Sequence, residues 1–262
     1  MALQKFSPET GTEIAYHKTA AKNSDLPGVI FCGGFMSDMT GGKATFLEEF
    51  CTERGQGYLR FDYTGHGASS GKFIDGTIGQ WADDALHVLD NLTEGPQILV
   101  GSSMGGWIAM LLTLKRPERV AGLVGIAASP DFTEEIYYGR LSDDEKRQLS
   151  EEGVVYLPSN YTDPYPVTEN LIKEGRKHLL LGGELIDIRC PIRLLHGKKD
   201  DIVPWAKSVR ISKLVAAKDV DIRYVEDGDH SLSCEEGLRL LGEAVAEISD
   251  IAATRVVSLT GA

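Results

Sequence analysis

Six short apolar runs alternate with longer stretches of helical periodicity along most of this 262-residue chain. The runs span residues 28–32, 57–61, 97–100, 120–126, 191–195 and 220–225. Residues 45–53, 77–92, 104–115, 206–217 and 235–248 carry apolar side chains at i, i+3 and i+4, the mark of one buried helix face. A strand covered on both faces reads as an unbroken apolar run, and successive parallel strands need a crossover long enough to hold a helix. The alternation therefore predicts an α/β fold, a mostly parallel sheet with helices on both faces. Two stretches at the start, 3–7 and 13–19, flank a turn at 8–11 and read as an antiparallel hairpin. The sheet should hold about eight strands.

One segment breaks the rhythm. Residues 131–189 are charged, Tyr-rich helical text with no good strand, and 131–152 alone holds eight acidic and three basic residues. Asp163-Pro164-Tyr165-Pro166 interrupts it, and 167–181 reads as a further helix. A plain connection between two strands needs far fewer residues. The segment is expected to form a small helical cap, inserted between core segments 1–130 and 190–262. It should lie over the carboxyl edge of the sheet, where open α/β sheets bind ligands.

Gly101-Ser102-Ser103-Met104-Gly105 matches G-x-S-x-G. The pattern alone is weak, because residues 67–71 match it too. Context separates the two. A nucleophile elbow needs a strand just before it and a helix just after it, and only the first match has both. Ser103 is therefore the expected nucleophile, with small neighbours that tolerate a strained turn and a helix N-terminus that favours negative charge. Ser69 and Ser70 read as loop residues that satisfy backbone.

A serine hydroxyl needs a base, and the base needs an orienting acid, here in the chain order serine, acid, base. Past the run at 191–195, the loop His196-Gly-Lys-Lys-Asp200-Asp201 offers two carboxylates. Past the last run, Asp229-His230-Ser231 offers the base, and His230 alone among six histidines has the right order and position. His66 reads as a loop brace, and His196 as a brace for the acid loop. An oxyanion hole needs two backbone N–H groups. Met104, after the nucleophile, supplies one, and Phe35, in the turn Gly33-Gly34-Phe35-Met36, is the expected second. Met36, Trp107, Tyr137, Trp205 and Leu232 are candidates for an apolar substrate wall.

These residues resemble the serine α/β-hydrolases over most of the chain. Longer strings carry a narrower likeness: residues 49–51, 60–65, 95–107 and 190–205. They are similar to the mitochondrial palmitoyl-protein thioesterases, also described as acyl-glucuronide esterases, of the α/β-hydrolase-domain group. The resemblance implies the α/β-hydrolase fold, a serine esterase or thioesterase working through an acyl-enzyme, and Ser103, Asp200 and His230 as its triad. It selects Asp200 over Asp201. It implies a small-molecule or acylated-protein substrate. A carboxylesterase acting on small or glucuronide esters is the alternative within enzymes. A non-catalytic ligand-binding receptor on the same scaffold is the alternative outside them.

Composition narrows the partners. Hydrophobic residues make up 42% and charged residues 25%, enough for a large core. With 27 basic against 39 acidic residues, the net charge is −12. That argues against nucleic acid and anionic bilayers as partners. No apolar run is long enough to span a membrane. Four scattered cysteines without a CxxC pair fit neither zinc nor a disulfide framework, so reduced thiols and no cofactor or metal are expected. With no apolar secretory region and no Arg-rich transit segment in view, the chain reads as cytoplasmic.

Overall fold

A computed structural model describes residues 3–8, 11–23, 25–158 and 164–260, with side chains to residue 254. The chain opens with β1 (Gln4–Phe6) and β2 (Ile14–Thr19), paired antiparallel as expected. Glu9 and Thr10 of their turn lie outside the described residues. The core then runs β3 (Gly28–Cys32), α1 (Gly42–Glu53), β4 (Tyr58–Phe61), α2 (Ile78–Leu92), β5 (Gln97–Ser102), α3 (Met104–Lys115) and β6 (Val120–Ile126). The intervening segment holds α4 (Asp143–Glu152), β7 (Val154–Leu157), β8 (Tyr165–Thr168) and α5 (Glu169–Gly175). β9 (Ile192–Gly197), α6 (Ala206–Leu214), β10 (Val220–Val225) and α7 (Glu235–Thr260) complete the chain.

Eight strands form one sheet in the order β1-β2-β4-β3-β5-β6-β9-β10. Every pair from β4 to β10 is parallel, and β2 meets β4 antiparallel. Strand periodicity of two sends alternate residues to opposite layers. Val29 and Phe31 of β3 pack with Leu47 of α1 and Val245 of α7, while Ile30 and Cys32 join the layer of α2 and α3. Helix α3 is buried from Met104 to Thr113, which is why it is apolar all round and shows no polar face. It lies under the centre of the sheet and aims its N-terminus at the carboxyl edge.

Residues 131–189 differ from the expectation in two respects. They contain a strand pair, β7 with β8, where only helical text was read. Val155 and Val167 turn inward onto Leu141, Leu149 and Ile172, while Tyr156 faces solvent. Pro166 is tolerated because a two-stranded ribbon leaves edge positions that need no donor. The helix read at 167–181 is cut to α5 and a short 3-10 turn at Arg176–His178, because 165–168 is already strand. Helix α4 starts at a capping box in which Ser142 and Glu145 satisfy each other's backbone N–H. Asp163, part of the expected chain break, lies outside the described residues.

Hydrogen bonds tie the ends of this segment together and join it to the core. Asp131, at φ 62°, accepts from the N–H groups of Leu180 and Leu181 at 2.8 and 2.7 Å. Lys207 of α6 donates to the Pro130 carbonyl and to Glu135, at 2.9 and 2.8 Å.

Candidate active site

β5 passes into α3 through a single residue, Ser103, at φ 53° and ψ −115°. An L-residue held there stores about 1–3 kcal/mol of strain, so the surroundings must over-determine it. The Ser103 N–H donates to the Ile126 carbonyl at 2.9 Å, and its own carbonyl accepts from Gly106 and Ser129 at 2.9 and 3.0 Å. The flanking glycines are required by space. A Cβ on Gly101 would stand 2.2 Å from the Gly105 carbonyl oxygen, and one on Gly105 would stand 2.0 Å from that of Cys32. The rival match at 67–71 has no such setting. The Ser69 hydroxyl donates to the Asp62 carbonyl and accepts from the Ala15 N–H, and Ser70 Oγ accepts from the Glu13 N–H.

Two loops bring the other groups to Ser103. The acid loop follows β9 and the base loop follows β10, and these strands are neighbours in register. The loops touch backbone to backbone: the Lys199 N–H donates to the Gly228 carbonyl at 2.9 Å. His230 Nε2 lies 3.0 Å from Ser103 Oγ, and His230 Nδ1 lies 2.8 Å from Asp200 Oδ2. Asp200 Oδ1 accepts from the N–H groups of Ile202 and Val203 at 2.9 and 2.8 Å. Burial alone would raise the Asp200 carboxyl, but hydrogen bonds from His196 and His230 outweigh it and hold the group well below the usual carboxylate range. Asp201 is exposed and lines a neighbouring cavity with Tyr137 and Ile202.

The turn after β3 packs against this line. A Cβ on Gly34 would lie 3.6 Å from that of Ser103. Phe35, next in the turn, lines the cavity that borders Ser103. Met104 is the first residue of α3, where N–H groups have no carbonyl inside the helix to bond. A cavity of about 300 Å³ opens over Ser103 and His230, walled by Phe31, Phe35, Met36, Tyr165 and Ile202. Lys43 of α1 also lines it and donates to the Ser231 carbonyl. Burial pushes its ammonium down to about 8, against the nearby charge of Asp229.

Among the candidates for the apolar wall, only Met36 lines this cavity. Trp107 is fully buried under it, with its ring against Phe132 and its Nε1–H on the His178 carbonyl at 3.0 Å. Leu232 is 2% exposed and packs into the α7 layer. Trp205 is 40% exposed and packs on Tyr224 and Lys198, outside the cavity. Tyr137 packs on Phe35 and lines a second cavity of about 260 Å³. Helical spacing marks these rings as apolar and does not tell a pocket from a core. Tyr165 and Ile202, which line both cavities, were missed; Tyr165 sits in a stretch that reads as a chain break. His66 stands apart from Ser103 among Tyr63, Phe73 and Trp81, and burial lowers its imidazole to about 4.

Comparison with known proteins agrees with this architecture. The alpha/beta hydrolase family model matches residues 29–237. The palmitoyl-protein thioesterase ABHD10, mitochondrial, of Homo sapiens is 40% identical over 245 residues, covering 93% of this chain and 78% of its own. The solved structure of alpha/beta hydrolase domain-containing protein 10 from mouse is 37% identical with a TM-score of 0.86, covering 95% of this chain and 99% of that one. A putative hydrolase from Agrobacterium vitis is 36% identical with a TM-score of 0.89, covering 95% of this chain and all of its own. The cytoplasmic expectation does not stand against the ABHD10 palmitoyl-protein thioesterases, which are mitochondrial by name. Reduced thiols suit any reducing compartment and do not single out the cytoplasm. With a family model over most of its length and a relative of this identity, the chain belongs to the alpha/beta hydrolase family.

Proposed function

We propose that the protein is a serine hydrolase of carboxylic esters and thioesters that works through an acyl-enzyme. The observation that carries this reading is the unbroken line from Ser103 Oγ through His230 to Asp200, starting at a strained elbow. His230 Nε2 takes the Ser103 proton as Oγ attacks the acyl carbonyl, and Asp200 orients the ring and stabilises the imidazolium. The N–H groups of Met104 and Phe35 hold the oxyanion while the helix N-terminus adds its dipole. His230 then protonates the departing alcohol or thiol and activates a water against the acyl-enzyme.

Residues 131–189 act as a cap over this edge, inserted between core segments 1–130 and 190–262. The cavity wall suits an acyl group, and the relatives' name, palmitoyl-protein thioesterase, supports an acylated-protein thioester as substrate. One observation favours a second reading, a carboxylesterase for smaller esters. About 300 Å³ lies at the low end of the range for small-molecule sites, about 300–1,000 Å³. A fluorophosphonate probe tests the chemistry. It should label the wild type and not Ser103→Ala, and folded wild type that resists labelling would sink the enzyme reading in favour of a ligand-binding protein. Esters and thioesters of rising chain length then separate the two substrate readings, since a sharp optimum at short chains excludes the long-chain one.

A further inference from the structure

One buried titratable side chain beside the proposed acid has no part in the chemistry above. His196, near the end of β9, is 0% exposed. Its Nε2 lies 3.2 Å from Asp200 Oδ2, the oxygen that also accepts from His230 Nδ1. The same Nε2 lies 2.9 Å from the Val203 carbonyl oxygen, and Nδ1 lies 2.8 Å from Ser208 Oγ on α6. These partners fix the tautomer. Nε2 faces a carbonyl and a carboxylate, both acceptors only, so it carries the hydrogen, and Nδ1 accepts from the Ser208 hydroxyl. Asp200 Oδ1 then takes two backbone donors and Oδ2 takes the His230 N–H, with the His196 Nε2–H, shared with the Val203 carbonyl, 3.2 Å from that same Oδ2.

We propose that His196 is a positioning residue whose tautomer is set by Ser208 and which holds the Asp200 carboxylate in line with His230 while taking part of its charge. This rests on the triad reading. Two N–H donors share Asp200 Oδ2, so the bond from His196 weakens what the carboxylate offers His230. Without His196 the carboxylate is freer to turn and gives more of its charge to His230. That favours the imidazolium and depletes the neutral base at mildly acidic pH. The other titratable groups around this cluster have separate engagements. Tyr224 of β10 is the register partner of His196 and packs on Trp205. Lys207, beside Ser208 on α6, bonds Glu135 and the Pro130 carbonyl. Asp201 is exposed.

The test is the pH dependence of the fluorophosphonate labelling rate, which needs Ser103 and neutral His230 but no knowledge of the substrate. It compares the full chain with His196→Phe, His196→Gln and Ser208→Ala. His196→Phe should label more slowly at its plateau, and its acid limb should move to higher pH. A limb raised by one unit slows labelling by up to about tenfold beyond the plateau loss, at pH values well below the limb. His196→Gln, whose amide N–H can stand where Nε2 stood, should return the limb toward the wild-type position. Ser208→Ala should move it in the same direction as His196→Phe and by less. A purely structural histidine would lower the plateau and leave the limb in place, and that result overturns the proposal. If His196→Phe does not fold, an unmoved limb in Ser208→Ala overturns it alone. Wild type that fails to label at any pH removes the Ser103 reading and this one with it, whereas a labelled wild type with unmoved variants removes only this one.

Discussion

Two walls face each other across Ser103, and they are built differently. The sheet edge is backbone against backbone. A Cβ on Gly105, Gly101 or Gly197 would stand 2.0 to 2.2 Å from the carbonyl oxygen of Cys32, Gly105 or Gly228, respectively. The opposite wall is ring against ring: Phe35 meets Phe132, Tyr137 and Tyr165 at centroid distances of 5.4 to 5.7 Å. Backbone contact at such distances admits one residue type, so it writes a motif. Side-chain packing admits many residues of similar volume, so it writes none. The edge therefore carries residues whose identity matters for chemistry, and the wall carries residues whose bulk matters for fit.

The comparison breaks first at the acid loop, where the largest effect is expected. Asp200 accepts three hydrogen bonds at the edge and lies 3.2 Å from His196 Nε2, while its neighbour Asp201 is exposed. Asp200→Asn keeps the shape and removes the charge that fixes the His230 tautomer. It should lower kcat by about 10³- to 10⁴-fold. Asp201→Asn should stay within about twofold, as a surface change does. Steady-state kinetics on an activated ester reads both, and equal losses would mean that the edge is not residue-specific in the way its geometry suggests.

What could be read from the sequence follows the same division. Ser103, Asp200 and His230 stand at the ends of β5, β9 and β10, and each follows an apolar run closed by small or polar turn residues. The parallel sheet was legible for the same reason, because strands buried on both faces leave continuous apolar text. The β7–β8 pair was not. Its eight residues bury only Val155, Val167 and Thr168, too few for a period-two signal, and Pro166 reads as a break. Trp107, Trp205 and Leu232 do not line the cavity over Ser103, because an apolar residue type says nothing about which surface borders a cavity. His196 was legible only as a brace, since a buried histidine's partners depend on contacts across α6 that no local pattern encodes.

Trp107 sharpens the comparison next. It packs against Phe132, with Nε1 on the His178 carbonyl, and does not line the cavity. Trp107→Ala should cost about 3–5 kcal/mol of stability in urea unfolding through the space it leaves. The KM of the surviving folded enzyme should change little. A variant of unchanged stability with a raised KM would place the ring in the substrate's path.

The smallest effect separates two rings of the same kind. Tyr165 lines both cavities and lies 5.7 Å from the Phe35 ring. Trp205 caps the start of α6 and packs on Tyr224 at 5.5 Å, with the Lys198 ammonium 4.5 Å from its ring centroid. Tyr165→Ala enlarges the space over Ser103 and removes apolar area that a bound acyl group would cover. Truncating a side chain of that size removes roughly 1.5–3 kcal/mol of burial where the contact is complete. A partial contact should therefore raise KM for an acyl ester about tenfold. The edge is untouched, so kcat should hold. Trp205→Ala should leave KM and kcat alone and lower stability by about 0.5–1 kcal/mol, the value of a solvent-exposed cation–π contact. If both substitutions raise KM alike, the substrate reaches past Ile202 to the outer face of α6, and the wall is larger than the cavity over Ser103.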